Sequence, residues 1–130
     1  MPERMLTESE GYSLLAACGI PVPSHQVVTS AGEARAAAGR IGYPVVMKVV
    51  SPEIIHKSDV GGVVTAIEGP DAAEEAFRTI MENSAARAPE AAIAGIIVEK
   101  QVPGGLEVLI GGKTDPSFGK VITFGLGGKL

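Results

Sequence analysis

The chain switches repeatedly between a helical and an extended spacing of apolar residues, and glycine or proline marks most of the switches. Thr7-Glu8-Ser9-Glu10 has the spacing of a capping box and predicts a helix start. Leu14, Leu15 and Cys18 form the apolar stripe of that helix, and Gly19 is a natural left-handed stop. Ile20-Pro21-Val22-Pro23 holds the chain extended, since each proline biases its predecessor away from helix. A short strand is expected around Gln26 to Val28. Ser30-Ala31-Gly32-Glu33 repeats the capping-box spacing, and Ala34, Ala37, Ala38 and Ile41 supply a small-residue face that ends at Gly42.

From Tyr43 to Val50 apolar residues fall on both parities, which predicts a strand covered on both faces, with Lys48 as the exception. A turn at Ser51-Pro52 and a polar segment, His56-Lys57-Ser58-Asp59, lead through Val60 to Gly61-Gly62. A further strand runs from Gly62 to Ile67. Asp71 with Glu74 is expected to cap a third helix, whose Ala73, Ala76, Phe77, Ile80 and Met81 recur at helical spacing. Ala94 to Val102 reads as a strand, and Pro103-Gly104-Gly105 as a sharp turn. Leu106 to Gly111 and Lys120 to Phe124 read as two more strands about a polar turn at Lys113 to Phe118. Alternating strands and helices predict an α/β (α+β) protein with a mixed sheet flanked by helices.

Composition narrows the class. With 130 residues, 45% hydrophobic and 20% charged, the chain is one small domain that can bury a core. Aromatic residues are only 4% of the total, so that core is aliphatic. The 17 glycines fall in pairs at loop positions without a period, which argues for tight turns rather than a linker. A net charge of −4 with mixed signs lacks the basic footprint of a nucleic-acid binder. No apolar run approaches the roughly 20 residues of a membrane helix, and the N-terminus does not read as a signal peptide. The default location is cytoplasmic. Cys18 alone forms no intramolecular disulfide and is expected to be a buried small hydrophobe.

Three charges stand where apolar residues belong: Lys48 among valines, Glu99 after Ile96-Ile97-Val98, and Glu107 between Leu106 and Val108. A buried charge is costly unless it is paired or serves a ligand. An edge strand, or an ion pair between Lys48 and a glutamate, accounts for them without any ligand. The loop also has an ordinary reading, as a glycine turn with His56 on the surface. Taken together, however, a strand lysine, a loop lysine and a Gly-Gly pair form a plausible phosphate holder. Glycines let backbone N–H groups converge on an anion, and Lys48 and Lys57 add point charges. The order strand–loop–strand is not that of a P-loop.

The motifs in order are Gly42-Tyr43-Pro44-Val45-Val46-Met47-Lys48, then Ser51 to Val63 (SPEIIHKSDVGGV), Gln101 to Val108 (QVPGGLEV), Asp115-Pro116-Ser117-Phe118-Gly119, and Phe124-Gly125-Leu126-Gly127-Gly128. This set closely resembles the ATP-grasp domain of ADP-forming acyl-CoA synthetases, which are related to the β subunit of succinyl-CoA synthetase. The resemblance runs over nearly the whole chain from about Gly11. It implies an ATP-grasp fold in which residues 1–130 are a partial nucleotide-binding domain.

The resemblance also implies roles. Lys48 matches the strand lysine that contacts nucleotide phosphates. Residues from Lys57 to Val63, with Ser58, Gly61 and Gly62, match the glycine loop that covers them. Glu99, Lys100 and Val102 match the hinge strand that reads the adenine edge, and Glu107 the acid that binds the ribose hydroxyls. His56 occupies the place of a histidine that carries the phosphoryl group to the nucleotide. A neutral imidazole nitrogen is a competent nucleophile, and Lys57 and the loop N–H groups would stabilise the transferring charge.

The implied reaction converts acyl-CoA, ADP and phosphate to acid, CoA and ATP. Its cofactors are ATP/ADP and Mg²⁺, whose ligands are expected beyond residue 130; Asp115, in a turn before proline, is expected to be structural. The implied partner is a CoA-binding α subunit or fused CoA-binding domains, and this chain alone is expected to be inactive. The sequence leaves the oligomeric state open. Two other readings share the motifs: an ATP-grasp carboxylate ligase that passes through a free acylphosphate without needing His56, and a regulatory nucleotide-binding module of a synthetase-like protein acetyltransferase.

Overall fold

A computed structural model describes residues 6–102 and 108–126. The elements are α1 (Glu8–Ala17), β1 (His25–Val28), α2 (Ala31–Ile41), β2 (Val45–Val50), a 3₁₀ turn (Lys57–Val60), β3 (Val63–Ile67), α3 (Pro70–Arg87), β4 (Gly95–Lys100), β5 (Val108–Asp115) and β6 (Gly119–Leu126). Four strands form one sheet in the order β1-β4-β2-β3, and β5 and β6 form a separate hairpin. The α/β class holds, but every pairing among the described residues is antiparallel, so the expected mixed sheet is corrected. β1 and β2 run in the same direction without touching, because β4 inserts between them. Likewise β2 inserts between β3 and β4.

Strand alternation sorts the sheet into two faces. Val45, Met47 and Val49 of β2 and Ile96 and Val98 of β4 pack with the alanine face of α2 and with Ala73, Ala76, Phe77 and Ile80 of α3. The small residues expected from sequence do what their size allows, since Ala34, Ala37 and Ala38 are fully buried. The opposite parity places Val46, Lys48 and Val50 of β2 beside Ile97 and Glu99 of β4. In register, Lys48 pairs with Ile97 and Val46 with Glu99. Lys48 and Glu99 are therefore diagonal neighbours on the face turned away from α2 and α3.

Local signals set most of the helix ends. Thr7 accepts from Glu10 N–H while Glu10 accepts from Thr7 N–H, completing the capping box. Ser30 accepts from Glu33 N–H, but the Glu33 carboxylate accepts from Thr29 N–H instead of closing the box. The third helix departs from expectation. Gly69 is its cap and Pro70 its first residue, where the missing N–H costs nothing. Asp71 instead pairs with Arg35 of α2 at 2.9 Å.

The first helix is also corrected. α1 contains no buried residue; Leu14, Leu15 and Cys18 are exposed. Its apolar stripe forms at the expected spacing, but nothing among the described residues covers it. The hairpin turn does match expectation: Asp115 Oδ1 accepts from Ser117 and Phe118 N–H in an Asx turn, and is structural. The turn expected at Gly104-Gly105, the acid Glu107 and the final Gly127-Gly128 lie outside the described residues. Among those described, no helix is long and apolar enough to cross a membrane.

The fold therefore rests on the single aliphatic layer between the sheet and α2–α3. Ile80, fully buried against that layer, tests it: Ile80→Ala should lower unfolding stability by about 3 kcal/mol, measured by urea denaturation. A cost below about 1 kcal/mol would show that the layer is not the principal core.

Candidate phosphate-facing site around Lys48

β2 carries Lys48 to the face opposite the helices, where two carboxylates meet it. Lys48 Nζ lies 2.6 Å from Glu99 Oε1 and donates to Glu8 Oε1 at 2.8 Å. Glu99 comes from the neighbouring central strand β4 and Glu8 from the first turn of α1. The same Glu8 oxygen accepts from the Tyr12 hydroxyl at 3.1 Å, one helical turn along. The Tyr12 ring in turn leans on His25 of β1, with centroids 4.8 Å apart. Two strands and one helix thus meet at one ammonium, and a third strand braces the helix through Tyr12.

The electrostatics follow from this crowding. Burial works to lower the Lys48 pKa, but hydrogen bonds and charge attraction from Glu8 and Glu99 outweigh it and leave the ammonium above its ordinary value. Tyr12 is pushed up as well, first by burial and then by Glu99 and Glu8, both of which oppose a phenolate. Glu99 is the most constrained member. Its side chain is 4% exposed, and its second oxygen, Oε2, has no hydrogen-bond partner among the described residues. A buried acceptor left in that condition is uncommon, and the Tyr12 hydroxyl lies near enough to the Glu99 carboxylate to be raised by it.

Beside Lys48 opens a cavity of about 490 Å³, lined by Glu8, Lys48, His56, Lys57, Ser58 and Asp59 among others. That volume falls within the roughly 300–1,000 Å³ usual for small-ligand sites. The loop that brings His56 and Lys57 there is a short 3₁₀ turn with Gly61 in the left-handed region at φ 68°. Asp59, Gly61 and Gly62 donate their N–H groups back to His56, Ser58 and Lys57 carbonyls. Those three N–H groups close the turn in this conformation rather than converge outward as an anion cradle. Asn83 of α3 donates to Gly61 O at 3.1 Å and pins the turn from behind. A Cβ on Gly62 would stand 2.5 Å from Val49 Cγ1, so only glycine allows the loop to lie this close to β2.

Of the residues expected from sequence, Lys48, His56, Lys57 and Ser58 surround one cavity, and Glu99 stands behind Lys48. Val63 pairs with Lys48 across β2–β3 and leads the loop back to the sheet. Lys100 is turned elsewhere: its ammonium donates to Gly42 and Tyr43 carbonyls, near the end of α2. Along the expected hinge, Lys100 N–H and Gln101 N–H donate to Ser24 and Pro44 carbonyls, and the Val102 side chain is exposed. Sequence reasoning missed Glu8, Tyr12 and Asn83. The one available signal was Glu8 and Tyr12 at i, i+4 on a helix otherwise lacking a polar stripe of matched charges.

Residues 2–130 match the family profile of the ATP-grasp domain. The chain belongs to the ATP-grasp family. It is 50% identical over 125 residues to the β subunit of ADP-forming acetate–CoA ligase I from Pyrococcus furiosus, covering 96% of this chain and 54% of that protein. Among solved structures it is similar to dinucleotide forming acetyl-coenzyme A synthetase 1 of Ca. Korarchaeum cryptofilum, in complex with coenzyme A, Ca-AMPCP and HgCl⁺. That likeness has a TM-score of 0.93 at 41% identity, over 97% of this chain and 55% of the other. A second structure of that synthetase, with coenzyme A and Mg-AMPPCP, has its phosphohistidine segment pointing towards the nucleotide binding site. It matches at a TM-score of 0.77 and 37% identity, over 97% of this chain and 52% of the other. This ATP-grasp chain thus spans about half the length of these relatives.

The cluster has a measurable alkaline signature. Lys48 and Tyr12 both have folded pKa values above their ordinary 10.5 and 10.0. The fold therefore holds more protons than the unfolded chain in that range. Their stabilisation is complete below about pH 10 and is lost as pH rises towards the folded values. Urea midpoints should fall as pH rises from about 10 to about 12, and the fall should be shallower in a Lys48→Met, Tyr12→Phe variant. Equal slopes would show that the cluster does not titrate with folding.

Proposed function

We propose that this chain is the nucleotide-binding portion of an ADP-forming acid–CoA ligase, with residues 1–130 forming the front part of its ATP-grasp domain. The observation that carries the reading is the placement of His56 and Lys57 on the same cavity as Lys48. A histidine alone on a loop would be ordinary. Next to Lys57 and on the same cavity as Lys48, it has the cationic surroundings a phosphoryl carrier requires.

ATP or ADP fits the residues present, because Lys48 and Lys57 supply the point charges that phosphate oxygens need. When bound, the nucleotide supplies the phosphoryl donor or acceptor oxygen. Mg²⁺ belongs to the same reading as counter-ion of the phosphates. No group of three or more His, Cys, Asp or Glu suited to a metal occurs among the described residues, so its protein ligands are not placed on them. The remaining chemistry is that of the chain. Lys48 holds phosphate oxygens from the sheet side, and Glu99 keeps Lys48 aimed from behind. His56, exposed on its loop, presents a ring nitrogen whose lone pair forms the N–P bond as the donor's bond to phosphorus breaks. In the second transfer the N–P bond breaks, the pair returns to the imidazole, and the acceptor oxygen takes the phosphoryl group. Lys57, next to His56, offsets the charge on the moving group.

The chemistry of the reading needs a CoA-binding subunit or fused domain to deliver the phosphoryl group, and the alternation of delivery and transfer explains a carrier on a loop. The relatives' names support it: one is a β subunit of an acetate–CoA ligase, and one structure is described by its phosphohistidine segment. The test is labelling of the complete gene product with γ-labelled ATP. Acid-labile, base-stable label should map to His56. In His56→Ala that label should vanish and turnover should fall by roughly a thousandfold or more, with nucleotide affinity within about twofold. Wild-type turnover in His56→Ala would instead favour direct acylphosphate chemistry.

A further inference from the structure

Lys48 is the group a nucleotide phosphate would contact under the function proposed above, and in this structure two carboxylates already hold it. The two are not equivalent. Glu99 sits on central strand β4, is 96% buried, and cannot leave without opening the sheet. Glu8 sits on α1, a helix with no buried residue, and itself lines the cavity beside His56 and Lys57. With both carboxylates ionised, the Lys48 cluster carries one more negative than positive charge. A polyphosphate approaching Lys48 meets Glu8 as a like charge on the open side.

The attachment of α1 is equally particular. Its leucines are exposed, so among the described residues no apolar burial docks this helix. Among the described residues, contacts that tie its first two turns to the sheet include Glu8 to Lys48, the Tyr12 ring against His25 and the Tyr12 hydroxyl near Glu99, with Tyr12 bracing Glu8 through that hydroxyl. The strongest of these, a charge-assisted hydrogen bond, ends on the phosphate lysine itself.

We propose that Glu8 is a tethered competitor for Lys48: it docks α1 by occupying the phosphate side of the lysine, and a nucleoside polyphosphate binding there displaces it and loosens α1. The inference rests on the nucleotide reading of the cavity and adds to it a link between site occupancy and the position of the N-terminal helix. Glu99 stays in place throughout and keeps Lys48 charged and aimed while its second partner is exchanged. Tyr12 sets the strength of the competition, since its hydroxyl orients the Glu8 oxygen that Lys48 shares.

The experiment uses the complete gene product and Mg-AMPPCP as probe, with binding measured by calorimetry and helix docking by hydrogen exchange of the α1 amides. Glu8→Gln keeps the size and a hydrogen-bonding oxygen but removes the charge. It should bind the probe roughly five- to twentyfold more tightly than wild type. In the wild type, α1 amides should exchange faster once the probe is bound. In Lys48→Met they should exchange fast without it. Equal or weaker binding by Glu8→Gln, with α1 exchange unmoved by the probe, overturns the proposal and leaves the nucleotide site standing. If folded wild type and Glu8→Gln both fail to bind the probe, the nucleotide reading falls and the proposal falls with it.

Discussion

An ammonium group on the interior stretch of a strand is tolerable only if something nearby carries the opposite charge, and this constraint organises much of the molecule. Lys48 is answered by Glu99 because β2 and β4 run antiparallel in a register that sets the two one step apart on the same face. Shifting that register by one residue would move Glu99 to the helix side and strand both charges, so electrostatics and core packing select the same alignment. Removing the lysine would leave the Glu99 carboxylate without its ion pair in a nearly dry setting. That penalty exceeds anything an exposed ion pair, such as Arg35 with Asp71, contributes.

The fixed register then decides where the loop can be. β3 pairs with β2 so that Val63 lies across from Lys48, and the chain between the two strands has to turn back over the same face. Gly62 lets it pass against Val49, Gly61 supplies the left-handed residue, and Asn83 of α3 holds the turn. His56 and Lys57 reach the cavity because of this path and not because of any direct bond to Lys48. The loop's position depends on few contacts, and three of its N–H groups are engaged internally. Opening those bonds would free the same groups to point outward, so the turn seen here and an anion-cradling turn exclude each other at Asp59, Gly61 and Gly62.

Much of this was legible in the sequence, and the failures have physical causes. The capping box at Thr7, the Ser30 cap, the alanine face of α2 and the helical spacing of α3 are local signals, and the local backbone obeys them, although the box at Ser30 stays half-formed. Lys48 and Glu99 stood out because a charge in an apolar run has few explanations. Pairing direction was not legible: strands apolar on both parities look alike whether neighbours run parallel or antiparallel. Burial of α1 was misjudged for a related reason. Periodicity shows that a face is apolar, not that a partner covers it, and Leu14, Leu15 and Cys18 remain exposed. Glu8 escaped because its partner lies 40 residues away and its own position is that of any acid in a first helical turn.

A site of this kind works under two opposed demands. Under the proposed function Lys48 has to attract phosphate and cannot be neutralised too completely by its own chain, yet an unpaired ammonium within the sheet would weaken the fold. Dividing the two carboxylates between a rigid strand and a weakly packed helix meets both demands. In that proposal Glu99 keeps Lys48 paired throughout, while Glu8 satisfies what remains of its hydrogen-bonding capacity until it is displaced. The arrangement also explains why the polar cluster is not buried further. Were α1 packed through its leucines against the sheet, Glu8 would be as fixed as Glu99, and Lys48 would be a structural ion pair with no open side.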